Sequence, residues 1–189
     1  MARLNVPGRQ EVHPDAKPML DVIAGKLGFV ANLHRLMANS PNALGAWTSF
    51  SSYLAKTLDL KTREGIALAV SEVNHCGYCL ASHSWAAHNK ANIPVEEINQ
   101  NRRGTSSDPK RAAAIAFAKE VVELRGNVPD REIEKVRAAG WSDGDIVDMV
   151  ALIAQFSMTN MLSNVAGIHI DFPSDPTAER SEDLDAFHE

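Results

Sequence analysis

Apolar residues in this chain recur every three to four positions, and Gly and Pro fall between the periodic stretches rather than inside them. That spacing is the mark of amphipathic helices, and Val-, Ile- and Thr-rich alternation with period two is scarce. The pattern predicts an all-α chain with short connections. A first helix is expected over about 14–26, with Met19, Leu20, Ile23 and Leu27 on one face and Gly28 as its stop. A short one follows with Leu33, Leu36 and Met37 apolar. A third is expected from Pro41 to about Lys56, carrying Leu44, Trp47, Phe50, Ser51 and Leu54 as its stripe.

A fourth helix starts near Asp59, a residue type that caps helix N-termini, and runs through Ile66, Leu68, Ala69 and Val70 to about Val73. Asn74-His75 should break it, and a fifth should open at Cys76 and run to about His88 or Lys90. Pro94 starts a short sixth. The stretch 101–109 clusters Gly, Ser, Thr, Asp and Pro and reads as a loop. Asp108-Pro109 then opens a seventh helix with Ala113, Ile115, Ala116, Val121, Val122 and Leu124 expected inside. Pro129-Asp130 opens an eighth, ending at Gly140. Ser142 caps a last long helix in which Ile146, Val147, Met149, Val150, Leu152, Ile153, Phe156, Met161, Leu162 and Val165 leave little polar surface. A helix that is apolar nearly all round belongs in a core or a subunit interface.

Sliding the chain on itself by 81 residues lays 60–83 over 141–164. Glu64 meets Asp145, Ile66 meets Val147, Cys76 meets Ser157, Cys79 meets Asn160, Ser82 meets Ser163 and His83 meets Asn164. This suggests an internal two-fold repeat of a helix pair, one half reactive and the other a scaffold without the chemistry.

The 189 residues suit one domain, and 44% hydrophobic with 23% charged residues is ordinary globular usage. No unbroken apolar run reaches the ~18 residues of a membrane span. The first residues lack a secretory h-region, so a cytoplasmic location without a membrane partner is expected. The net charge of −5 is carried entirely by 174–189, where Asp175, Glu179, Glu182, Asp183, Asp185 and Glu189 face one base, Arg180. The expected division is one helical domain over 1–173 and an acidic tail over 174–189. No basic block is present, which argues against a nucleic-acid partner.

Only two cysteines occur, Cys76 and Cys79, in the run Cys76-Gly77-Tyr78-Cys79-Leu80-Ala81-Ser82-His83. A disulfide across so short a loop would constrain the unfolded chain little, so the pair reads as chemical rather than structural. Unpaired N–H groups at a helix start stabilise a thiolate. The two sulfurs lie about one turn apart, so one can be oxidised and the other can resolve it. His83 lies one turn after Cys79 on the same face and can take its proton, directly or through a water. The dipole favours Cys76 as the thiolate and the adjacent base favours Cys79; we take Cys79 as the attacking residue and Cys76 as the resolver. In an antiparallel hairpin about Asn74-His75, His83 stands ~11 Å from the break and Glu64 ~15 Å, levels that permit contact. Glu72 falls beside Cys76 instead.

The run Arg63-Glu64, eleven residues, then Cys-x-x-Cys-x-x-x-His resembles the alkyl hydroperoxidase D core of the carboxymuconolactone decarboxylase-like superfamily. The flanks 28–33, 38–41 and 170–173 are similar too. The resemblance implies an all-helical bundle, a homo-oligomer, and a thiol-dependent peroxidase that needs no haem, flavin or metal. It implies Cys79 as the peroxide-reactive cysteine, Cys76 as its resolver, and Glu64 with His83 as a proton relay. Its partners would be a hydroperoxide and an external dithiol reductant. The family's best-studied form carries a histidine directly before the second cysteine, where this chain has Tyr78. Tyr78 could donate a hydrogen bond to peroxide or thiolate, or simply pack. Four other readings stand beside this one: a zinc site on Cys76, Cys79 and His83 with His75 or His88, a decarboxylase-like enzyme, a redox sensor, and two inert buried cysteines. Trp47, Phe50, Tyr53 and Trp85 are candidates for an apolar pocket or for plain core packing.

Overall fold

The computed structural model describes residues 2–178, and among these every regular element is helical. A 3₁₀ turn at Pro14–Ala16 leads into α1 (Lys17–Leu27). Then come α2 (Asn32–Met37), α3 (Pro41–Leu54), α4 (Leu60–Val73), α5 (Gly77–Asn89), α6 (Val95–Arg102), α7 (Pro109–Glu123), α8 (Asp130–Ala138) and α9 (Asp143–Ala166). The boundaries follow the expected caps. Asp59 accepts from the Thr62 N–H, Asp108 from the Arg111 N–H, and Ser142 and Asp145 form a reciprocal capping box. Gly28 ends α1 at φ 90°, a left-handed position where a side chain would be strained.

Helix α4 is the hub. It packs against α5, α6, α7 and α9, and its residues from Gly65 to Ser71 are all buried. Close approach of α7 depends on Gly65, where an added Cβ would lie 2.5 Å from Ile115 Cδ1. Two main apolar clusters flank this hub. One joins α1 and α2 to Cys76, Tyr78, Cys79, Ile168 and Phe172. The other joins α4, α7 and α9 around Ile66, Ile115, Met149 and Phe156.

Three expectations change. In α7 the buried face is Ala114, Ile115, Phe117, Ala118 and Val121; Ala116 is exposed and Leu124 lies past the helix end, 43% exposed. The expected set took in Ala113, Ala116 and Leu124 and so mixed two faces.

Helix α9 is buried on one side only. Met149, Leu152, Ile153, Phe156, Asn160 and Ser163 face inward, whereas Val147 and Met161 are 68% and 62% exposed. Its length and hydropathy would suffice to cross a membrane, although no unbroken apolar run reaches that length, and 44% of its most apolar window is buried in the protein.

The internal repeat also fails as a helix pair. Asn74 caps α4 and His75 turns the chain at φ 51°, but the residues laid over them, Gln155 and Phe156, continue α9 without a break. Neither Gln nor Phe favours the left-handed conformation that the turn requires. The acidic positions from Glu179 onward lie outside the described residues.

Candidate active site

Cys76 ends the turn after α4 and is the N-cap of α5. Its sulfur accepts from the Cys79 N–H at 3.3 Å, and its own N–H bonds the Ser71 carbonyl at 3.0 Å. A cysteine in this position satisfies one of the orphan donors of the helix start, and that contact stabilises an anion better than a thiol. Both cysteines are reduced and buried. The Cys79 thiol donates to the Cys76 sulfur, and this bond above all draws the Cys76 thiol down to about 7. The Cys79 N–H, the Ser163 hydroxyl and the charge of His83 add to the effect, while burial opposes it. Cys79 is held far above its usual range by the same bond, by burial and by the adjacent Cys76 charge. The pair therefore shares one proton, with the negative charge on Cys76 and the hydrogen on Cys79.

His83 Nδ1 and Glu64 Oε2 lie 2.9 Å apart across the α4–α5 hairpin, both largely buried. The Phe156 ring meets the His83 ring edge to face at 5.1 Å and fixes its plane. The bond to Glu64 sets the tautomer: with hydrogen on Nδ1, Nε2 is free to accept a proton. Among the described residues His83 forms no direct hydrogen bond to Cys79. Glu72, expected beside Cys76, turns outward to Arg102 at 2.7 Å.

Tyr78 is buried and its ring packs against Phe172. Its hydroxyl accepts from the Leu33 N–H at 3.2 Å and is also bonded to Asp171. Burial first, then the Asp171 charge, drives the phenol well above its ordinary range. The hydroxyl is thus occupied at the start of α2. Asp171 also accepts from the Asn32 N–H at 2.7 Å, capping a helix whose own N-cap residue, Ala31, has no side-chain acceptor. This ties the segment after α9 to α2 and lays Phe172 over the site.

Two further residues bond the sulfurs, and two more hold one of them in place. Ser163 Oγ lies 3.8 Å from Cys79 Sγ and bonds Cys76 as well. Asn160 lowers Cys79 by a hydrogen bond, and its side chain is held by Ser71 at 3.2 Å and Asn74 at 3.0 Å. The overlay of α9 on α4–α5 touched Asn160 and Ser163 but treated them as scaffold. Their signal was available: polar residues one turn apart on an apolar helix, buried, need partners.

Cys79, Ser82, His83 and Glu64 line a cavity of about 290 Å³ whose other walls are mainly apolar, from α2, α3 and α9. Trp47 and Trp85 line it, but Phe50 and Tyr53 turn to solvent, Tyr53 at 71% exposure. His75 is exposed, and His88 bonds the Ile93 carbonyl. Among the described residues no three His, Cys, Asp or Glu side chains gather closely enough to hold a metal ion.

The family model described as Carboxymuconolactone decarboxylase family matches residues 41–123, from the start of α3 to the end of α7. A solved structure described as an alkylhydroperoxidase AhpD core, an uncharacterized peroxidase-related protein from Ralstonia eutropha JMP134, superposes with TM-score 0.80 at 25% identity, covering 89% of this chain and 92% of that one. An uncharacterized peroxidase-related protein from Silicibacter sp. TM1040 gives TM-score 0.78 at 24% identity, covering 89% and 91%. The debrominase Bmp8, solved with 2,3,4-tribromopyrrole, gives TM-score 0.73 at 18% identity, covering 86% and 88%. No curated protein matches the sequence significantly.

Proposed function

We propose that this protein, whose residues 41–123 form a carboxymuconolactone decarboxylase family domain, reduces organic hydroperoxides through the Cys76–Cys79 pair. The observation that carries this reading is the Glu64–His83 bond at 2.9 Å beside a cysteine that lines a mainly apolar cavity. Cys79, not Cys76, reaches the cavity wall. As its proton passes to the Cys76 thiolate, the Cys79 sulfur attacks the outer oxygen of the peroxide. The O–O bond breaks, the alkoxide takes the proton that His83 Nε2 has accepted beforehand and leaves as the alcohol, and Cys79 becomes a sulfenic acid. Cys76 then displaces water from Cys79 and closes the disulfide. A small or protein dithiol restores both thiols by exchange, supplying the two electrons. Glu64 orients His83 and steadies its charge.

The peroxidase-related descriptions of two structural neighbours agree with this reading. The bound bromopyrrole of a third favours a second one: reductive removal of a halogen from a small aromatic, in which the same two thiols give the disulfide, halide and a proton. The self-association expected from the sequence is proposed on the outer face of α9. Val147, Val150, Met158, Met161 and Val165 are exposed there, and residues 149–170 hold no Asp, Glu, Lys or Arg.

Thiol counting by mass spectrometry tests the main reading. One equivalent of cumene hydroperoxide should remove two hydrogens from the reduced protein and release one equivalent of cumyl alcohol. Thiols untouched by the hydroperoxide but oxidised by a halogenated pyrrole would transfer the assignment to the second reading.

A further inference from the structure

Helix α9 turns one flank to the cavity that Cys79 lines, and Leu152, Gln155, Phe156 and Thr159 stand on it. Two of these side chains are polar. Thr159 spends its hydroxyl on the Phe156 carbonyl at 2.9 Å. Gln155 is only 6% exposed, and among the described residues its side-chain amide has no hydrogen-bond partner. Neither amide atom is sealed: each keeps surface that a water-sized group can reach. A reachable, unpaired amide in a mainly apolar cavity wall is the kind of group that orients a ligand.

Its place along the cavity follows from the register of α9 on α4. Asn160 donates to the Ser71 hydroxyl at 3.2 Å, and Asn164 donates to the Asn74 carbonyl at 2.9 Å. The two helices therefore run in the same direction, and stepping back from Asn160 to Gln155 reaches the level of Ile66, close to Glu64. The ring contact of Phe156 with His83 at 5.1 Å, and the bond from His83 to Glu64, give the same level by a second route. Ser163, 3.8 Å from the Cys79 sulfur, lies two turns further on, about 12 Å along the axis. Gln155 is thus set well away from the sulfur on the same wall.

The amide offers one carbonyl acceptor and two N–H donors. A single neutral group that both donates and accepts answers it. An anion is disfavoured, because Glu64 stands at the same level. The only Lys or Arg in the cavity wall is Arg63 at the start of α4, and it donates to the Leu58 carbonyl.

We infer that Gln155 is a specificity-determining residue, which holds a neutral carboxamide or hydroxyl on the organic half of the substrate. This rests on the reading of the Cys79 cavity as the active site. Allowing about 3 Å for the approach to sulfur and about 3 Å for a hydrogen bond, roughly 6 Å separates the reducible bond from that group. The substrate class is a small apolar molecule, such as a ring substituted at opposite ends, and a cavity of about 290 Å³ admits a body of that size.

The test is calorimetric titration of the reduced protein with benzamide, cumene and benzoate, which match in heavy atoms and outline but differ in the branched group. Gln155→Leu removes the amide from the wall. It should weaken benzamide about five- to tenfold, the worth of one hydrogen bond, and should not weaken cumene. Gln155→Met, unbranched like glutamine, should do the same and carries the decision if the leucine disturbs α9. If both probes weaken equally in these variants, or neither weakens, the inference is wrong. If benzoate binds more tightly than benzamide, and Arg63→Gln abolishes that preference, the subsite is anionic and the inference is also wrong. None of the probes carries a reducible bond. Amide-dependent binding without hydroperoxide turnover would leave the subsite standing and remove the peroxidase reading; turnover without amide-dependent binding would do the reverse.

Discussion

Helices α4 and α5 and the single helix α9 present the same alternation of acid, apolar and small polar residues, and they differ at one place. In the first, Asn74 and His75 stop the helix, so Cys76 becomes the N-cap of a new one. In the second, Gln155 and Phe156 let the helix run on. The break makes the chemistry. It exposes the N–H groups that stabilise the Cys76 sulfur, and it folds α5 back so that His83 meets Glu64 at 2.9 Å. The unbroken helix keeps small polar residues at the corresponding positions and supplies them to the sulfurs as Asn160 and Ser163. Similar patterns thus produce a reactive turn in one region and its support in the other.

The largest expected effect comes from removing the sulfur that faces the cavity. Cys79→Ser should reduce hydroperoxide consumption to the rate of the dithiol alone, measured by peroxide assay. Cys79→Ala, which leaves no donor there, should also raise the Cys76 midpoint, because the strongest hydrogen bond holding that thiol at about 7 is lost. In the wild type, alkylation of Cys76 by iodoacetamide should rise with pH through about 7, and fall away below it as the thiolate is protonated. A wild-type midpoint near 9 would show that the cap does not act on the sulfur.

Next comes the relay. Glu64→Gln keeps the shape but removes the charge that orients His83, and should slow oxidation by about 10²-fold while the disulfide still forms under diamide. An unchanged rate would reduce Glu64 to a packing residue. Ser163→Ala tests what α9 contributes. It should move the Cys76 midpoint upward by less than Cys79→Ala does, and slow oxidation only a few-fold. A larger effect than that of Glu64→Gln would reverse the roles assigned to the two regions.

The smallest effect concerns the break itself. His75 is exposed at φ 51°. His75→Gly should leave chemical stability within about 1 kcal/mol of wild type or raise it, whereas the β-branched His75→Val should lower it by about 1–2 kcal/mol in urea unfolding.

The helices were legible because each announces itself locally. Asp59, Asp108 and Ser142 cap where they stand, and Gly28 stops α1 within one residue of its expected end. The Glu64–His83 contact was legible from rise per residue alone, since both ends of that argument lie in one hairpin. What the sequence concealed depends on distant parts meeting. Asp171 caps α2 from 139 residues away, and Tyr78 spends its hydroxyl there rather than on the sulfurs. His34 lies on the wall of the Cys79 cavity beside Trp47 only because α2 and α3 pack together there. Periodicity likewise showed that α9 was apolar all round, but only the packing of α3, α4, α5 and α7 decides which side is inner.

The division of labour between the two sulfurs is the centre of this account, with Cys76 holding the charge and Cys79 making the attack. Dimedone trapping followed by peptide mass spectrometry tests it most directly, on Cys76→Ser and Cys79→Ser each given one equivalent of cumene hydroperoxide. The account predicts a dimedone adduct on Cys79 in Cys76→Ser, formed more slowly than the wild-type disulfide, and little adduct on Cys76 in Cys79→Ser. A fast adduct on Cys76 with none on Cys79 would contradict it.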